Sequence, residues 1–369
     1  MRDHSGPTPQ QKSSGRPATI RGPSLFIAQF IGPPPLFVRL ADIAIFARDL
    51  GFRALQIPIH DARILDLAEA DNAGYLRRIE TLLAGHELGI SELAAQRTSQ
   101  LLAVHPAYDE FADTLAPAEV RGNRIARRAR AEQDLHRAIA LANRLAVKKL
   151  AVFSGGLAWP YFYPYPPPPA ALFDRAFAEL ARVWRPILDA AENADVDLCF
   201  ELHPGQDLHD GATFERFLAG VDHHPRARLL YDPSHLRLQH VDYLGFIDCY
   251  HERIGAFHVK DAEFNISATR GVYGGYADWL DRPGRFRSLG DGDIDFRGIF
   301  SRLTRYGYDG WATLEWECCL KNAHDGAAEG ARFIEQHLIR VAEASFDAGM
   351  RLPSGRVNVD RMLGLGDGR

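Results

Sequence analysis

Four residues in the second half of the chain carry donor types suited to a divalent cation. Glu201 ends the apolar run of "CFELHPG", and Asp232 ends that of "LLYDPSH". His258 ends that of "GAFHVKD", and Glu315 that of "WATLEWE". Each alone has an ordinary explanation. An Asp before Pro-Ser is a turn former, and a single His in a strand is usually a satisfied core residue. Taken together, four successive apolar runs end in three carboxylates and one imidazole. Carboxylates are seldom buried without a partner or a cation. Crowded together out of water they repel, and at least one takes up a proton. A divalent cation removes that penalty. Oxygen donors with one imidazole suit Mn2+, Mg2+, Co2+ or Zn2+.

The runs that carry these residues belong to a longer series. Strands are expected at 24–30, 54–60, 90–96, 148–156, 196–202, 227–232, 254–260 and 310–316. Helical spacing follows over 40–51, 73–89, 131–146, 171–194, 213–221, 241–252, 296–308 and 326–346, and Gly51 stops the first. Strict βα alternation implies a parallel sheet covered on the outside. Eight units imply a closed (β/α)8 TIM barrel. An open doubly wound sheet is the alternative, weakened by the lack of GxGxxG after the first strand.

Two long loops follow strands four and seven, at 157–169 and 262–292. Both leave the C-terminal ends of strands, where barrel active sites lie. The first, "LAWPYFYPYPPPP", is aromatic and rich in proline, which favours extended geometry and excludes helix. The polar, Pro/Gly/Ser-rich start suggests a flexible N-terminal tail over 1–22. The barrel would span 23–348, with a C-terminal extension over 349–369.

Composition limits the partners. The 369 residues carry a net charge of −5, which argues against a nucleic-acid binder. The arginines between Arg121 and Arg130 read as a solvated helix face. Four cysteines, Cys199, Cys249, Cys318 and Cys319, form no CxxC. They are expected to be reduced thiols in a cytoplasmic protein. The N-terminus has no apolar signal core, and no run is long and apolar enough for a membrane span.

The pattern Glu201, Asp232-Pro-Ser-His235, His258-Val-Lys-Asp261 and Glu315 resembles the xylose isomerase-like TIM barrels, over residues from about 24 to 345. That superfamily, which includes AP endonuclease 2-like members, holds ketose 3-epimerases, hydroxypyruvate isomerase, inosose dehydratase, 3-keto-glycoside epimerases, deglycosidase catalytic subunits and endonuclease IV. The resemblance implies that Glu201, Asp232, His258 and Glu315 bind one divalent metal, manganese above magnesium, cobalt or zinc. It implies that His235 contacts a substrate oxygen beside the metal, and that Glu201 and Glu315 move the proton.

The residues read by themselves agree. A cation on the carbonyl and neighbouring hydroxyl of a keto sugar would stabilise the enediolate left when the α-proton departs. Carboxylates on each face can remove and return that proton, and His235 can donate to the oxyanion. The expected activity is therefore metal-dependent isomerisation or epimerisation of a sugar or keto sugar. Elimination on the same scaffold is the alternative: a dehydratase, or a deglycosidase catalytic subunit with a small partner subunit. An apurinic-site endonuclease is a distant third, disfavoured by the acidic balance and the single ligand set. His60, His203, Lys260, Trp159 and Arg287 are candidate substrate contacts, with Arg285 beside Arg287 on the long loop. His60 and His105 are also candidates for extra metal ligands, and Glu317 could replace Glu315. The long loops suggest a substrate larger than a free hexose, such as a glycoside or inositol derivative. A homo-oligomer is expected.

Overall fold

The computed structural model describes residues 17–32, 36–163, 165–350 and 359–365. Its strands are β1 (Arg21–Phe26), β2 (Ala54–Pro58), β3 (Gly89–Ala94), β4 (Lys149–Val152), β5 (Asp197–Glu201), β6 (Ala227–Tyr231), β7 (Ile254–Val259), β8 (Asp261–Phe264), β9 (Gly284–Arg287) and β10 (Trp311–Leu314). Eight of them close a barrel in the order β1-β10-β7-β6-β5-β4-β3-β2. Every neighbouring pair is parallel, as helical crossovers require. The expected (β/α)8 architecture is present. β8 and β9 form a separate antiparallel hairpin inside the insertion after β7, pairing Asp261 with Arg287 and Phe264 with Gly284.

Several element ends differ from the sequence reading. β1 starts earlier and stops at Phe26, because the apolar residues beyond it turn into the 3-10 helix Ala28–Phe30. There Phe30 packs on Phe46 and Trp316. β4 stops at Val152, not 156. Gly155 has φ +85° and lies so close to Ala103 that a Cβ would sit 2.6 Å from its carbonyl oxygen. The helix expected from 131 already starts at Arg124, because the Asn123 side chain caps it through the Ala126 N–H. Its Arg127 is buried against Asp109 and Asp113, each at 2.5 Å, so that arginine run is not wholly a solvated face. The final helix, Ala323–His337, ends nine residues before the expected 346. Beyond it no residue through Met350 is buried, so no core contact rewards further helix.

The chain divides into two compact units, 1–339 and 340–369. The second contains the short helix Val359–Met362 among exposed residues. Of the expected tail over 1–22, residues 1–16 lie outside the described residues, and 21–22 belong to β1. Residues 351–358 and 366–369 of the C-terminal extension also lie outside them. Among the described residues no helix is long and apolar enough to cross a membrane.

The core changes character around the barrel. Ala151, Cys199, Leu230 and Ala256, one each from β4, β5, β6 and β7, form a small apolar cluster separate from the main core. On the other side lie buried polar residues: the Ser24 hydroxyl donates to Ser91 at 2.7 Å, and Thr313 donates to Glu92 at 3.2 Å. Gln56 is buried among them.

Candidate metal and active site

Four consecutive strands of one arc place the four sequence-predicted ligands. Glu201 is the last residue of β5, and His258 lies in β7. Asp232 follows β6, and Glu315 follows β10. All four are buried, and one donor atom from each lies within 4.8 Å of the others. His258 Nδ1 is 2.7 Å from Glu315 Oε2 and 4.0 Å from Glu201 Oε1.

Asp232 is both a turn former and a member of the cluster. It is the N-cap of the short helix Pro233–Leu238, and its Oδ1 accepts the Ser234 N–H at 2.8 Å. Its Oδ2 faces the cluster. Asp232 Oδ2, His258 Nδ1 and Glu315 Oε2 are buried and make no well-formed hydrogen bond; they face one another, His235 and Lys260, with Nδ1 and Oε2 2.7 Å apart. Buried polar atoms without a well-formed hydrogen bond are rare and call for an unseen ion or water. Three such atoms facing one point fit a divalent cation, and the donor set suits one.

Sequence reasoning missed the residues that back these ligands. His258 Nε2 meets Gln56 Oε1 at 2.7 Å. An amide oxygen can only accept, so Nε2 carries a proton, and Nδ1 is the nitrogen turned toward the cluster, the one a cation would take in place of a proton. The Gln96 amide donates to Glu201 Oε2 at 3.2 Å, and Gln29 to Glu315 Oε1 at 3.0 Å. A signal was available. "FIAQF", "ALQIPIH" and "ELAAQ" each place a glutamine in or at the end of an apolar run.

The crowded charges perturb one another. Burial and the neighbouring Glu315 raise Glu201 to about 8. Burial alone would lower His258, but the charges of Glu315, Glu201 and Asp232 outweigh it and raise the imidazole to about 9. Burial raises Asp232 to about 6 against the pull of Lys260. Glu315 is lowered: burial opposes this, but Lys260 and His258 prevail. Burial keeps His235 neutral, reinforced by His203, Lys260 and His258.

The other predicted residues separate into those the structure gathers and those it does not. His235 Nε2, buried and without a hydrogen-bond partner, lies 3.2 Å from Glu201 Oε1 and 3.3 Å from Asp232 Oδ2. The His203 ring packs against it at a tilt of 55°, with centroids 4.0 Å apart. Lys260 Nζ is buried, 2.9 Å from Glu317 and 3.5 Å from Glu315. Glu317 thus pairs with the lysine, and Glu315 is the residue within the cluster. A cavity of about 260 Å³ is lined by Glu201, Glu315, His203, Lys260, Glu317 and His60. Trp159 lies outside it, in the wall of the neighbouring cleft. His105 is not part of the cluster; its Nδ1 accepts the Ala107 N–H. Arg287 requires a correction. It sits on β9, not on an open loop, and donates to Glu263 at 2.7 Å across the hairpin, as Arg285 does. Strand alternation points Phe286, not Arg287, toward the site.

Fold and site together define an eight-stranded parallel β/α barrel whose mouth holds a buried Glu/Asp/His/Glu cluster able to bind a metal ion. The chain belongs to the xylose isomerase-like TIM barrel family, whose model matches residues 45–337. It is 30% identical over 146 residues to an inosose dehydratase of Bacillus licheniformis, covering 39% of this chain and 48% of that protein. The chain thus spans about half the length of that curated relative. The structure of the probable 3-DHS dehydratase AsbF from Bacillus anthracis matches with a TM-score of 0.60 at 18% identity, covering 85% of this chain and 98% of the other. An L-ribulose 3-epimerase structure matches with a TM-score of 0.56 at 19% identity, covering 87% and 94%.

Proposed function

We propose that this chain is a divalent-metal-dependent isomerase or epimerase of a sugar or keto sugar, acting by proton abstraction next to a carbonyl. The observation that carries this reading is the convergence of buried donor atoms from Glu201, Asp232, His258 and Glu315 within 4.8 Å of one another, beside the neutral His235. Glu201, Asp232, His258 and Glu315 would hold the cation, with manganese favoured and magnesium, cobalt or zinc possible. The cation supplies a Lewis acid for a carbonyl and its neighbouring hydroxyl.

The chain's own groups handle the proton. Glu201 and Glu315 are carboxylates on two different strands that line one cavity, so they can act on different sides of a carbon held there. The amides of Gln96 and Gln29 fix one oxygen of each and leave the other for this work. His235 Nε2 faces Glu201 and serves as donor or relay to a substrate oxygen. Lys260, anchored by Glu317, offsets the carboxylate charge and holds Glu315 in its ionised form. Burial of the cluster excludes bulk water, which strengthens each of these interactions.

A second reading is elimination: the same α-proton leaves and a β-substituent is expelled. It is favoured by the dehydratase names of the matched relative and of the AsbF structure. If the reaction is deglycosylation, a small partner subunit belongs to this reading. A cytoplasmic homo-oligomer suits either case, in keeping with four free thiols.

The experiment is incubation of metal-loaded protein in D2O with keto sugars and 3-keto-glycosides. Deuterium next to the carbonyl together with an epimer or isomer supports the first reading. Deuterium exchange with loss of the β-substituent supports the second. No exchange on any member by metal-loaded protein refutes both.

A further inference from the structure

A cleft of about 680 Å³ opens onto the metal-site cavity, and His203 and Glu317 line both. Its outer walls come from the two long insertions: Trp159, Phe162 and Tyr163 after β4, and Tyr273, Trp279 and Phe286 after β7. The wall is continuous with the site. The Phe286 ring takes Lys260 Nζ over its face at 4.2 Å and meets the His235 ring edge-on at 5.4 Å. Trp279 packs on Phe286 with centroids 5.0 Å apart. Tyr163 and Tyr273 meet edge-on at 5.4 Å and bridge the two insertions.

This cleft is built in advance. One buried carboxylate pins the root of each insertion through three backbone N–H groups. Asp207 accepts from Leu157, Ala158 and Trp159 at 2.8 to 2.9 Å. Asp261 accepts from Ala262, Gly290 and Gly292 at 2.8 to 3.0 Å. At Gly292 a Cβ would lie 2.1 Å from the Asp261 carboxylate, so only glycine permits that staple. Even so, Tyr163, Tyr273 and Trp279 remain 56%, 70% and 41% exposed. Clustered exposed aromatics mark a binding surface more often than a resting one.

We propose that the cleft holds a flat aromatic group joined to the sugar, so that the substrate is an aryl glycoside and not a free sugar or an oligosaccharide. This rests on the proposed enolising function. A second sugar ring would need several free hydrogen-bonding groups beside the aromatic faces; apart from the Tyr163 and Tyr273 hydroxyls, the polar side chains Gln239 and Arg282 are engaged, and His203 and His235 lie at the inner end, against the metal-site residues. Gln239 donates to the carbonyls of His209 and His235, both at 3.0 Å. Arg282 donates to the carbonyls of Ala277 and Gly275 at 2.8 and 3.1 Å. Glu317 is paired with Lys260. The surface left for a ligand is aromatic, with edges and faces set for offset or edge-on packing. The polar core of the substrate then occupies the smaller cavity, among carboxylates and imidazoles.

The test compares methyl, phenyl, octyl and glucosyl 3-keto-glucosides on the metal-loaded full chain, reading solvent deuterium exchange next to the carbonyl. The phenyl glycoside is expected to show a kcat/KM about 10-fold or more above the methyl, the equivalent of one good aromatic contact. In Trp279→Ala and Tyr163→Ser, checked for an unchanged thermal melt, that ratio falls toward one. An octyl or glucosyl preference, or a ratio unaffected by both variants, overturns the assignment. Binding of phenyl glucoside, read by quenching of tryptophan fluorescence, needs no turnover. Quenching that Tyr163→Ser weakens, without exchange on any keto sugar, would keep the cleft and reject the enolising function. Exchange on all sugars with no phenyl preference would do the reverse.

Discussion

The mouth of the barrel is made of two unlike arcs. β5, β6, β7 and β10 are neighbours, and they supply the ionisable members of the candidate metal cluster: Glu201, Asp232, His258 and Glu315. On the opposite arc, β1, β2 and β3 bring Gln29, Gln56 and Gln96, which engage Glu315, His258 and Glu201 respectively. One arc carries the ionisable cluster, and the other meets it with neutral amides, while its one buried carboxylate, Glu92, accepts from Thr313. A further carboxylate on the second arc would add repulsion, and an apolar residue would leave ligand atoms unsatisfied. An amide does neither, because it can donate to a carboxylate or accept from an imidazole without changing the net charge. Asp232, the ligand with no glutamine, obtains the same service from the Ser234 backbone at the start of a helix.

This contrast makes graded predictions. The largest effect should come from the charged arc. Asp232→Ala should reduce bound metal to background and abolish turnover, as measured by metal analysis of the purified protein. Retention of a full equivalent would break the division of labour. The neutral arc should matter less. Gln56→Leu should weaken metal binding about 10- to 100-fold without abolishing it, the usual cost of losing an outer partner of a metal-bound imidazole. Competition with a chelator measures this, and a loss as complete as that in Asp232→Ala would erase the distinction.

Protonation sharpens the comparison further. In metal-free protein Glu201 is raised from 4.5 to about 8 and His258 from 6.5 to about 9. The folded state therefore holds protons that the unfolded chain has released. Stability from these two groups is present at low pH and is lost as pH rises through about 5 to 9. Thermal melts of metal-free protein should fall across that range, and metal should flatten the decline. A metal-free melt that rises there would contradict the electrostatic picture of the cluster. The smallest effect belongs to a residue assigned to neither arc. Arg287→Ala should leave metal affinity and kcat/KM within about 2-fold and cost about 1 kcal/mol, because the largely buried Glu263 keeps Arg285 as its partner.

The charged arc was legible in the sequence because a carboxylate or imidazole at the end of an apolar strand conflicts with burial, and the conflict recurs four times. The βα alternation that places these residues was legible for the same kind of reason, since its periods are long and regular. Glutamine carries no comparable alarm: it is neutral, and one amide in an apolar run such as "ALQIPIH" reads as a strand residue with a local partner. Only the closed barrel brings Gln56 to His258, about two hundred residues away in the chain. For Asp232 the sequence offered turn former and cluster member as alternatives, and only the structure shows one carboxyl oxygen capping a helix while the other faces the cluster. Arg287 was misplaced because a long loop conceals its own hairpin, and a cross-strand Glu263 was not visible as its partner.

The central claim is that this arc of four side chains holds one catalytic cation. The most direct measurement is titration of metal-free protein with Mn2+, followed by the loss of the free-ion electron paramagnetic resonance signal. Wild-type protein should take up one manganese per chain, and a Glu315→Gln variant of unchanged circular dichroism none. Folded wild-type protein that takes up no divalent ion, or a variant that binds as well as wild type, would contradict it.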